Sequence, residues 1–276
     1  PIYIAKNGVM YTGDDLLDLY QYKDMEVLLK RSYKVAVVND GKKINVVRCP
    51  APLIGRRILN TIDVAFPIVH GKGVEDGSLS GYLDTLGIPY VGPSMLGASL
   101  GQDKVVQKQV MAASGVPVVD YTWFYDHEYR DNEEQVLKDI KKLGYPVIVK
   151  PARLGSSVGI EVAKDENEVK EAIEEAIKYE KKIVVEAMVK NLLEVDCAVL
   201  GNSEDMECSL IGEMLTDNEL LTFEDKYIGK GGKGGKNGAK NAGPKTGGVI
   251  NTGGFKIPAE IDKEIEEQIY KYSKEA

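Results

Sequence analysis

The sequence predicts a mixed α/β (α+β) protein, and three observations support this fold class. Segments with apolar residues at three- and four-residue spacing, typical of helices, alternate with short apolar runs typical of strands. Glycine follows the last periodic residue of several of these helices, where it favours helix termination. Short adjacent strand-like runs late in the chain suggest an antiparallel part.

A hairpin, two further strands and one helix are predicted in the N-terminal part of the chain. Asp40-Gly41 between two apolar runs is a hairpin signal. Leu79, Leu83 and Leu86 share one helical face, and Gly87 ends the helix. The predicted elements are strands at residues 35–39, 43–48, 63–69 and 88–91 and a helix at residues 78–86.

The rest of the chain alternates helices with strands. Asp165 opens a strong helix because Glu168, three residues later, completes a capping box. The other predicted helices are residues 103–113, 132–143 and 261–272, and the predicted strands are residues 146–149, 158–163, 182–187, 195–200 and 209–215.

Composition excludes several classes of protein. The 276 residues carry a net charge of −8, whereas nucleic-acid binders usually present a basic face. No apolar run approaches the roughly 20 residues that span a bilayer, and the N-terminus resembles neither a signal nor a transit peptide. The three scattered cysteines suit a reducing cytoplasm and lack the spacing of a metal site. Two histidines are too few for a histidine-rich metal site.

The segment from Lys150 to Ile160 is the most informative in the chain. A buried strand ends in a lysine, a Gly/Ser loop follows, and a second strand begins. Backbone N–H groups and hydroxyls in such a loop can bind polyphosphate oxygens, and the lysine adds a point charge. A Walker loop is excluded by the residue order. A plain hairpin with small turn residues remains the alternative.

Residues 228–257 hold eleven glycines and six lysines and no Asp or Glu. Such a composition cannot bury a core. The segment is therefore either a solvated low-complexity insertion or a lid, and a basic lid would be attracted to an anionic ligand.

Several motifs occur in one order along nearly the whole chain. They are His70-Gly71-x-x-x-Glu75-Asp76-Gly77, Gly87-Ile88-Pro89-Tyr90-Val91-Gly92, Asp103-Lys104, the Lys150 loop, Val185-Glu186, Leu193-Glu194-Val195 and Phe223-Glu224-Asp225-Lys226-Tyr227. Their order and spacing resemble those of the D-alanine–D-alanine ligase family, which has the ATP-grasp fold. The resemblance implies three domains: an N-terminal α/β domain at residues 1–93, a central subdomain with the phosphate loop at 94–185, and a C-terminal subdomain with a lid at 186–276.

The resemblance also implies a reaction. A family member uses ATP and Mg²⁺ to join two D-alanines through an acyl phosphate, for peptidoglycan synthesis. It is expected to be a cytoplasmic homodimer that binds neither nucleic acid nor membrane. An enzyme of the same family that prefers D-serine, a non-catalytic nucleotide-binding relative, and a ligase for other small carboxylates and amines are the alternatives.

By resemblance, a set of polar side chains binds the nucleotide. Lys104, Lys150 and Lys226 reach the phosphates, and Ser157 belongs to the loop that folds over them. Glu186 and Glu194 hold the adenine amino group and the ribose hydroxyls, and Met188 packs on the purine. Without the resemblance, Lys104 would be interpreted as a surface lysine and the two glutamates as ordinary exposed residues. The exposed interpretation is weaker for Glu186, because it follows an apolar run where burial is costly without a partner.

Four residues are implied to act on D-alanine. His70 and Glu75 lie near the first D-alanine, Ser156 orients it, and Tyr227 favours attack by an amine. Family members also have a first strand with a Gly-rich loop, and a later segment with an arginine and magnesium carboxylates. Nothing here matches either, so the sequence is expected to be a fragment whose metal ligands lie beyond residue 276.

Overall fold

The computed structural model describes residues 1–155, 157–214, 250–251 and 255–276. The chain divides into two compact units, Pro1–Ser99 and Leu100–Ala276. The finer division into three domains stays a prediction. Within the described ranges, no helix combines the length and the apolar character needed to cross a membrane.

The first unit is built on a five-stranded antiparallel sheet. Its strands neighbour each other in chain order: β1 (Ile2–Ile4), β2 (Met10–Thr12), β3 (Tyr33–Asn39), β4 (Ile44–Arg48) and β5 (Ile58–Ile62). The predicted hairpin is confirmed, because β3 pairs with β4 from Val35 to Asn39. Asp40 closes its turn by accepting hydrogen bonds from the backbone N–H groups of Lys42 and Lys43.

Helices and two 3-10 turns accompany this sheet. They are the turns Asp14–Leu17 and Leu19–Lys23 and the helices α1 (Met25–Arg31) and α2 (Ser78–Leu86). The prediction for α2 is confirmed at both ends, and Gly87 ends it in the left-handed conformation with φ 69°. A further helix, α3 (Met95–Gln102), contains the boundary between the two units.

The prediction of a strand at residues 63–69 is wrong. Between residues 63 and 69, the backbone forms a bridge only at Ala65, which pairs in parallel with Tyr90. The strand expected at residues 88–91 is reduced to the same bridge. The apolar pattern was real, but Phe66 and Ile68 are 68% and 80% exposed, with no sheet beside them in the described chain. Pro67 also lacks the N–H that a ladder needs.

The second unit contains an antiparallel sheet of four strands. In spatial order they are β6 (Tyr121–Tyr125), β9 (Lys182–Ala187), β7 (Val147–Pro151) and β8 (Glu161–Ala163). Four helices lie between these strands or before them: α4 (Lys104–Ala113), α5 (Asp126–Asp131), α6 (Glu133–Lys141) and α7 (Glu166–Ile177). The predicted helices correspond to α4, α6 and α7, whose N-caps Asp103, Asn132 and Asp165 each accept backbone N–H groups.

The two faces of this sheet differ because side chains alternate along each strand. Ile183 and Val185 join a large apolar cluster that includes the buried residues of α6 and α7. Val184, between them in β9, packs on the other face with Val105 of α4 and Ala152. The second face is therefore covered by α4, and it also carries the polar side chains of β7 and β9.

Six short strands and a C-terminal helix are the remaining described elements of the second unit. They are β10 (Val195–Asp196), β11 (Val199–Gly201), β12 (Met206–Cys208), β13 (Gly212–Met214), β14 (Ile250–Asn251), β15 (Phe255–Ile257) and α8 (Lys263–Glu275). Strands β10, β13, β15 and β14 form a sheet in that order, and β11 pairs with β12 in a hairpin.

Two predictions about this region need correction. Residues 195–200 were expected to form one strand, but they divide between β10 and β11, in two different sheets. At the break, the backbone N–H of Ala198 donates to the hydroxyl of Ser209. The end of the expected 228–257 loop contains β14 and β15, and its other residues lie outside the described chain.

Candidate functional site

A buried carboxylate, Glu186, occupies the centre of the polar face. It is in β9, opposite Tyr121 of β6 and Ile148 of β7, and it is 6% exposed. A charge at such a depth requires partners. Lys150 of β7 supplies one, with its Nζ 2.6 Å from Oε2 of Glu186, and Lys108 of α4 supplies another, with its Nζ 3.1 Å from Oε1.

Helix α4 brings two lysines to this face. Lys104 and Lys108 are four residues apart and therefore lie on the same side of the helix. The Nζ of Lys104 donates to the backbone carbonyls of Pro151, at 3.3 Å, and Leu154, at 2.6 Å. Lys104 thus holds the start of the loop that joins β7 to β8.

The charges of this cluster do not balance. Burial alone would raise the pKa of Glu186, but Lys150 and Lys108 outweigh it and hold that pKa below its ordinary value. Burial lowers the pKa of Lys104 to about 8, and repulsion from Lys150 adds to the shift. Three lysines therefore face one carboxylate, which is the arrangement that a polyphosphate would neutralise.

The loop after β7 is held by further contacts. Gln102 donates through Nε2 to the carbonyl of Arg153 at 3.1 Å, and the guanidinium of Arg153 lies 2.9 Å from Glu180. Ser157 and Gly159 adopt positive φ values of 57° and 68°. The strand–loop–strand prediction is confirmed, since β7 pairs with β8 on either side of this loop.

The first unit holds the predicted pair His70 and Glu75. The Nδ1 of His70 lies 3.5 Å from Oε1 of Glu75, and Oε2 of Glu75 accepts the backbone N–H of Gly71. Asp76 accepts the N–H groups of Gly73 and Ser78. The tight turn before α2 thus brings the histidine and the carboxylate together.

Sequence comparison identifies the family. The profile "D-ala D-ala ligase N-terminus" matches residues 1–93, and "D-ala D-ala ligase C-terminus" matches residues 110–237. The chain belongs to the D-alanine–D-alanine ligase family. It is 40% identical over 216 residues to the D-alanine–D-alanine ligase of Acetivibrio thermocellus, covering 78% of this chain and 51% of that protein. It is 36% identical to that of Bacillus cytotoxicus, covering 83% of this chain and 61% of that protein.

Solved structures agree with the family assignment. The D-alanine–D-alanine ligase from Coxiella burnetii has a TM-score of 0.66 and 30% identity, covering 78% of this chain and 60% of that chain. The VanG D-Ala:D-Ser ligase from Enterococcus faecalis has a TM-score of 0.71 and 28% identity, covering 100% of this chain and 71% of that chain. The chain has the ATP-grasp fold of these ligases, and it spans between half and two thirds of the length of the curated relatives above.

The family comparison leaves several predicted residues untested by geometry. Ser156, Lys226 and Tyr227 lie outside the described residues. Met188 and Glu194 are half-buried beyond the end of β9, where the N–H of Met188 donates to the carbonyl of Pro146 and the carbonyl of Glu194 accepts the N–H of Met214. Their roles stay predictions.

Two lysines that contact the acidic residues Glu186 and Asp103 were not identified from the sequence. Lys108 shares Glu186 with Lys150, and Lys182 pairs with Asp103 at the start of α4. The signal for Lys108 was its position one helical turn after Lys104. The signal for Lys182 was weaker, because a lysine at the start of a strand is usually exposed.

The described residues offer no magnesium site. Among them, no group of three or more His, Cys, Asp and Glu side chains is placed to hold a metal ion. Magnesium prefers several oxygen ligands in octahedral geometry. Among the described residues, the polar face of the second unit therefore supplies lysine cations but no set of oxygen ligands suited to magnesium.

Proposed function

We propose that this chain is part of an ATP-dependent ligase that joins two D-alanines into D-alanyl-D-alanine for peptidoglycan synthesis. The observation that carries the proposal is the cluster of Lys104, Lys108 and Lys150 around Glu186, on the polar face of an ATP-grasp sheet. Enzymes of the D-alanine–D-alanine ligase family are ATP-dependent.

The chemistry explains why such a cluster is useful. A carboxylate is a poor acyl donor, and ATP supplies the phosphoryl group that converts it into an acyl phosphate, which the amine of the second amino acid attacks. Negative charge develops on phosphate oxygens during this transfer. Fixed cations in a site sheltered from water stabilise that charge strongly.

In this proposal the nucleotide lies against β7, β9 and α4. Lys150 and Lys104 bind its phosphates, with Ser157 in the loop that folds over them. Glu186 accepts the adenine amino group. Met188 packs on the purine and Glu194 accepts the ribose hydroxyls, and Lys226 meets the terminal phosphate.

The same proposal assigns the first D-alanine to the first unit. His70 and Glu75, which are already paired, would contact its amino and carboxylate groups. Ser156 would orient it, and Tyr227 would favour attack by an amine. Magnesium is expected from the family, and we assign it no ligand within the described residues.

Release of ADP by the full-length protein tests the activity. With ATP and magnesium present, adding D-alanine should raise the rate of ADP release and produce a dipeptide. A rate that D-alanine leaves unchanged, with ATP still bound, would instead support a non-catalytic nucleotide-binding relative.

D-Serine as the second substrate is an alternative because the VanG D-Ala:D-Ser ligase aligns over the whole chain. Competition between D-alanine and D-serine at fixed ATP separates the two forms. Equal or better use of D-serine would exclude a dedicated D-alanine–D-alanine ligase. A cytoplasmic homodimer without nucleic-acid or membrane partners belongs to the same proposal.

A further inference from the structure

Glu186 is held by two lysines, one on each oxygen of its carboxylate. Lys150 contacts Oε2 at 2.6 Å and Lys108 contacts Oε1 at 3.1 Å. Each of these lysines keeps less than a fifth of its side chain exposed, and Glu186 keeps 8%. At this depth, loss of one lysine changes the electrostatic energy of the carboxylate far more than it would at the surface.

The two lysines differ in what surrounds them. Lys150 is the penultimate residue of β7, directly before the loop that Lys104 holds through the carbonyls of Pro151 and Leu154. Lys108 lies in the middle of α4, one helical turn after Lys104, with its amine 5.7 Å from the ring centre of Tyr121. Lys150 is therefore the lysine placed to meet a ligand at the loop.

The amine of Lys150 cannot form a close ion pair with Glu186 and with a bound phosphate at the same time. If it moved to a phosphate and Glu186 had no other partner, a buried carboxylate would remain unpaired, which is strongly unfavourable. Lys108 removes this difficulty, because it keeps Oε1 paired while Oε2 becomes available. The vacated Oε2 can then accept a hydrogen bond from an amino group.

We propose that Lys108 is a positioning residue that keeps Glu186 ionised and paired while Lys150 transfers from Glu186 to the nucleotide phosphates. This inference rests on the proposed function, since it requires a nucleotide at this face. It adds an exchange of partners: the phosphates take Lys150, and the amino group of the base takes its place on Glu186. Lys108 itself contacts neither.

Tripolyphosphate is the sharpest probe, because it carries the phosphates of ATP without the base. Its binding to the full-length protein, and that of ATP, can be measured by calorimetry. Lys108→Met should weaken tripolyphosphate binding about tenfold, because Lys150 is then the only ion-pair partner left to Glu186 among the described residues and leaves it less readily. Lys108→Arg, which keeps the charge, should restore binding.

A double variant separates an indirect role from direct contact. Once Glu186→Gln has removed the carboxylate charge, Lys108 no longer has an ion pair with residue 186 to maintain. Lys108→Met/Glu186→Gln should therefore bind tripolyphosphate as tightly as Glu186→Gln alone. This comparison stands even if Lys108→Met alone fails to fold, because the double variant removes the buried pair together.

The outcomes that overturn the inference are distinct from failure of the proposed function. Unchanged binding by Lys108→Met would exclude the positioning role, and a double variant weaker than Glu186→Gln would mean that Lys108 binds phosphate directly. Wild-type protein that binds neither ATP nor tripolyphosphate would overturn the proposed function itself. Lys170→Met, in an exposed pair with Glu133 on α6, is the matched control and should leave binding unchanged.

Discussion

The Nζ of Lys182 lies 3.0 and 2.9 Å from the two carboxylate oxygens of Asp103, although the residues are 79 positions apart. Asp103 also accepts the backbone N–H groups of Val105 and Val106, as the N-cap of α4. One carboxylate thus caps the helix and ties it to β9. This contact fixes α4 along the sheet, and with it the distance between Lys108 and Glu186.

Asp103→Ala should lower the free energy of unfolding of the second unit by about 3 to 5 kcal/mol, because it leaves Lys182 buried without its partner. The side chains of Lys182 and Asp103 are 8% and 13% exposed, so solvent screens the pair little. Urea unfolding followed by tryptophan fluorescence measures the loss. Trp123, the sole tryptophan, lies 4.9 Å from the Lys182 amine.

The control for this prediction removes both charges. Asp103→Ala/Lys182→Met should lose less stability than Asp103→Ala, since no unpaired charge remains. The stability that the double variant still loses is attributed to the missing N-cap of α4, which contributes about 1 kcal/mol. If the double variant were as unstable as the single one, the ion pair would not be what holds α4 in place.

Phosphate binding should weaken above pH 8 because of Lys104. The pKa of Lys104 in the free protein is about 8, and a bound phosphate favours its protonated form. Above pH 8, binding must therefore take up a proton, and affinity should fall by up to about tenfold per pH unit. Below pH 8 the lysine already carries its proton, and its titration adds no pH dependence.

Lys104→Arg provides the comparison, because arginine stays charged throughout this range. The ratio of wild-type to Lys104→Arg affinity for tripolyphosphate cancels the titration of the ligand itself. That ratio should be constant below pH 8 and fall between pH 8 and pH 10. A ratio independent of pH would mean that Lys104 does not contribute its charge to binding.

Glu186→Gln should reduce discrimination between ATP and ITP. In the proposed site, Glu186 accepts the amino group of adenine, and it would repel the oxygen that inosine carries at that position. An amide can accept from the amino group and can also donate to the oxygen. Wild-type protein should prefer ATP by about tenfold or more, and the variant should bind the two nearly equally, as measured by competition.

Local signals predicted helices α2, α4, α6, α7 and α8, whereas the shorter helices α1, α3 and α5 were not predicted. Asp103, Asn132 and Asp165 each cap a helix close to the expected residue, because capping depends on the next three residues only. Strands depend on partners elsewhere in the chain. The apolar alternation at residues 63–69 therefore predicted a strand that, in the described structure, has only the bridge at Ala65.

The candidate site shows the same division between local and distant information. Family resemblance named Lys104, Lys150 and Glu186, and the structure brings all three to one face. It did not name Lys108, whose role depends on a carboxylate 78 residues later in the sequence. That contact requires the register of β9 between β6 and β7, which sequence pattern alone does not specify.

Gly159 tests how tightly the loop after β7 is packed. Its φ is 68°, and a Cβ added there would lie 2.9 Å from Cδ2 of Tyr179 and 3.0 Å from Cγ of Pro151. Gly115, after α4, has a similar φ of 80° but open space around it. Alanine at either position strains the backbone, and at Gly159 it also forces a steric clash.

Gly159→Ala should therefore lower the free energy of unfolding by about 2 kcal/mol more than Gly115→Ala, which is the typical effect of overpacking. Because Pro151 is part of β7, relief of the clash would move the loop that Lys104 holds. Tripolyphosphate affinity should then fall for Gly159→Ala and stay at the wild-type value for Gly115→Ala. Equal stability and equal affinity for the two variants would mean that the loop yields without cost, and that its packing does not position the phosphate site.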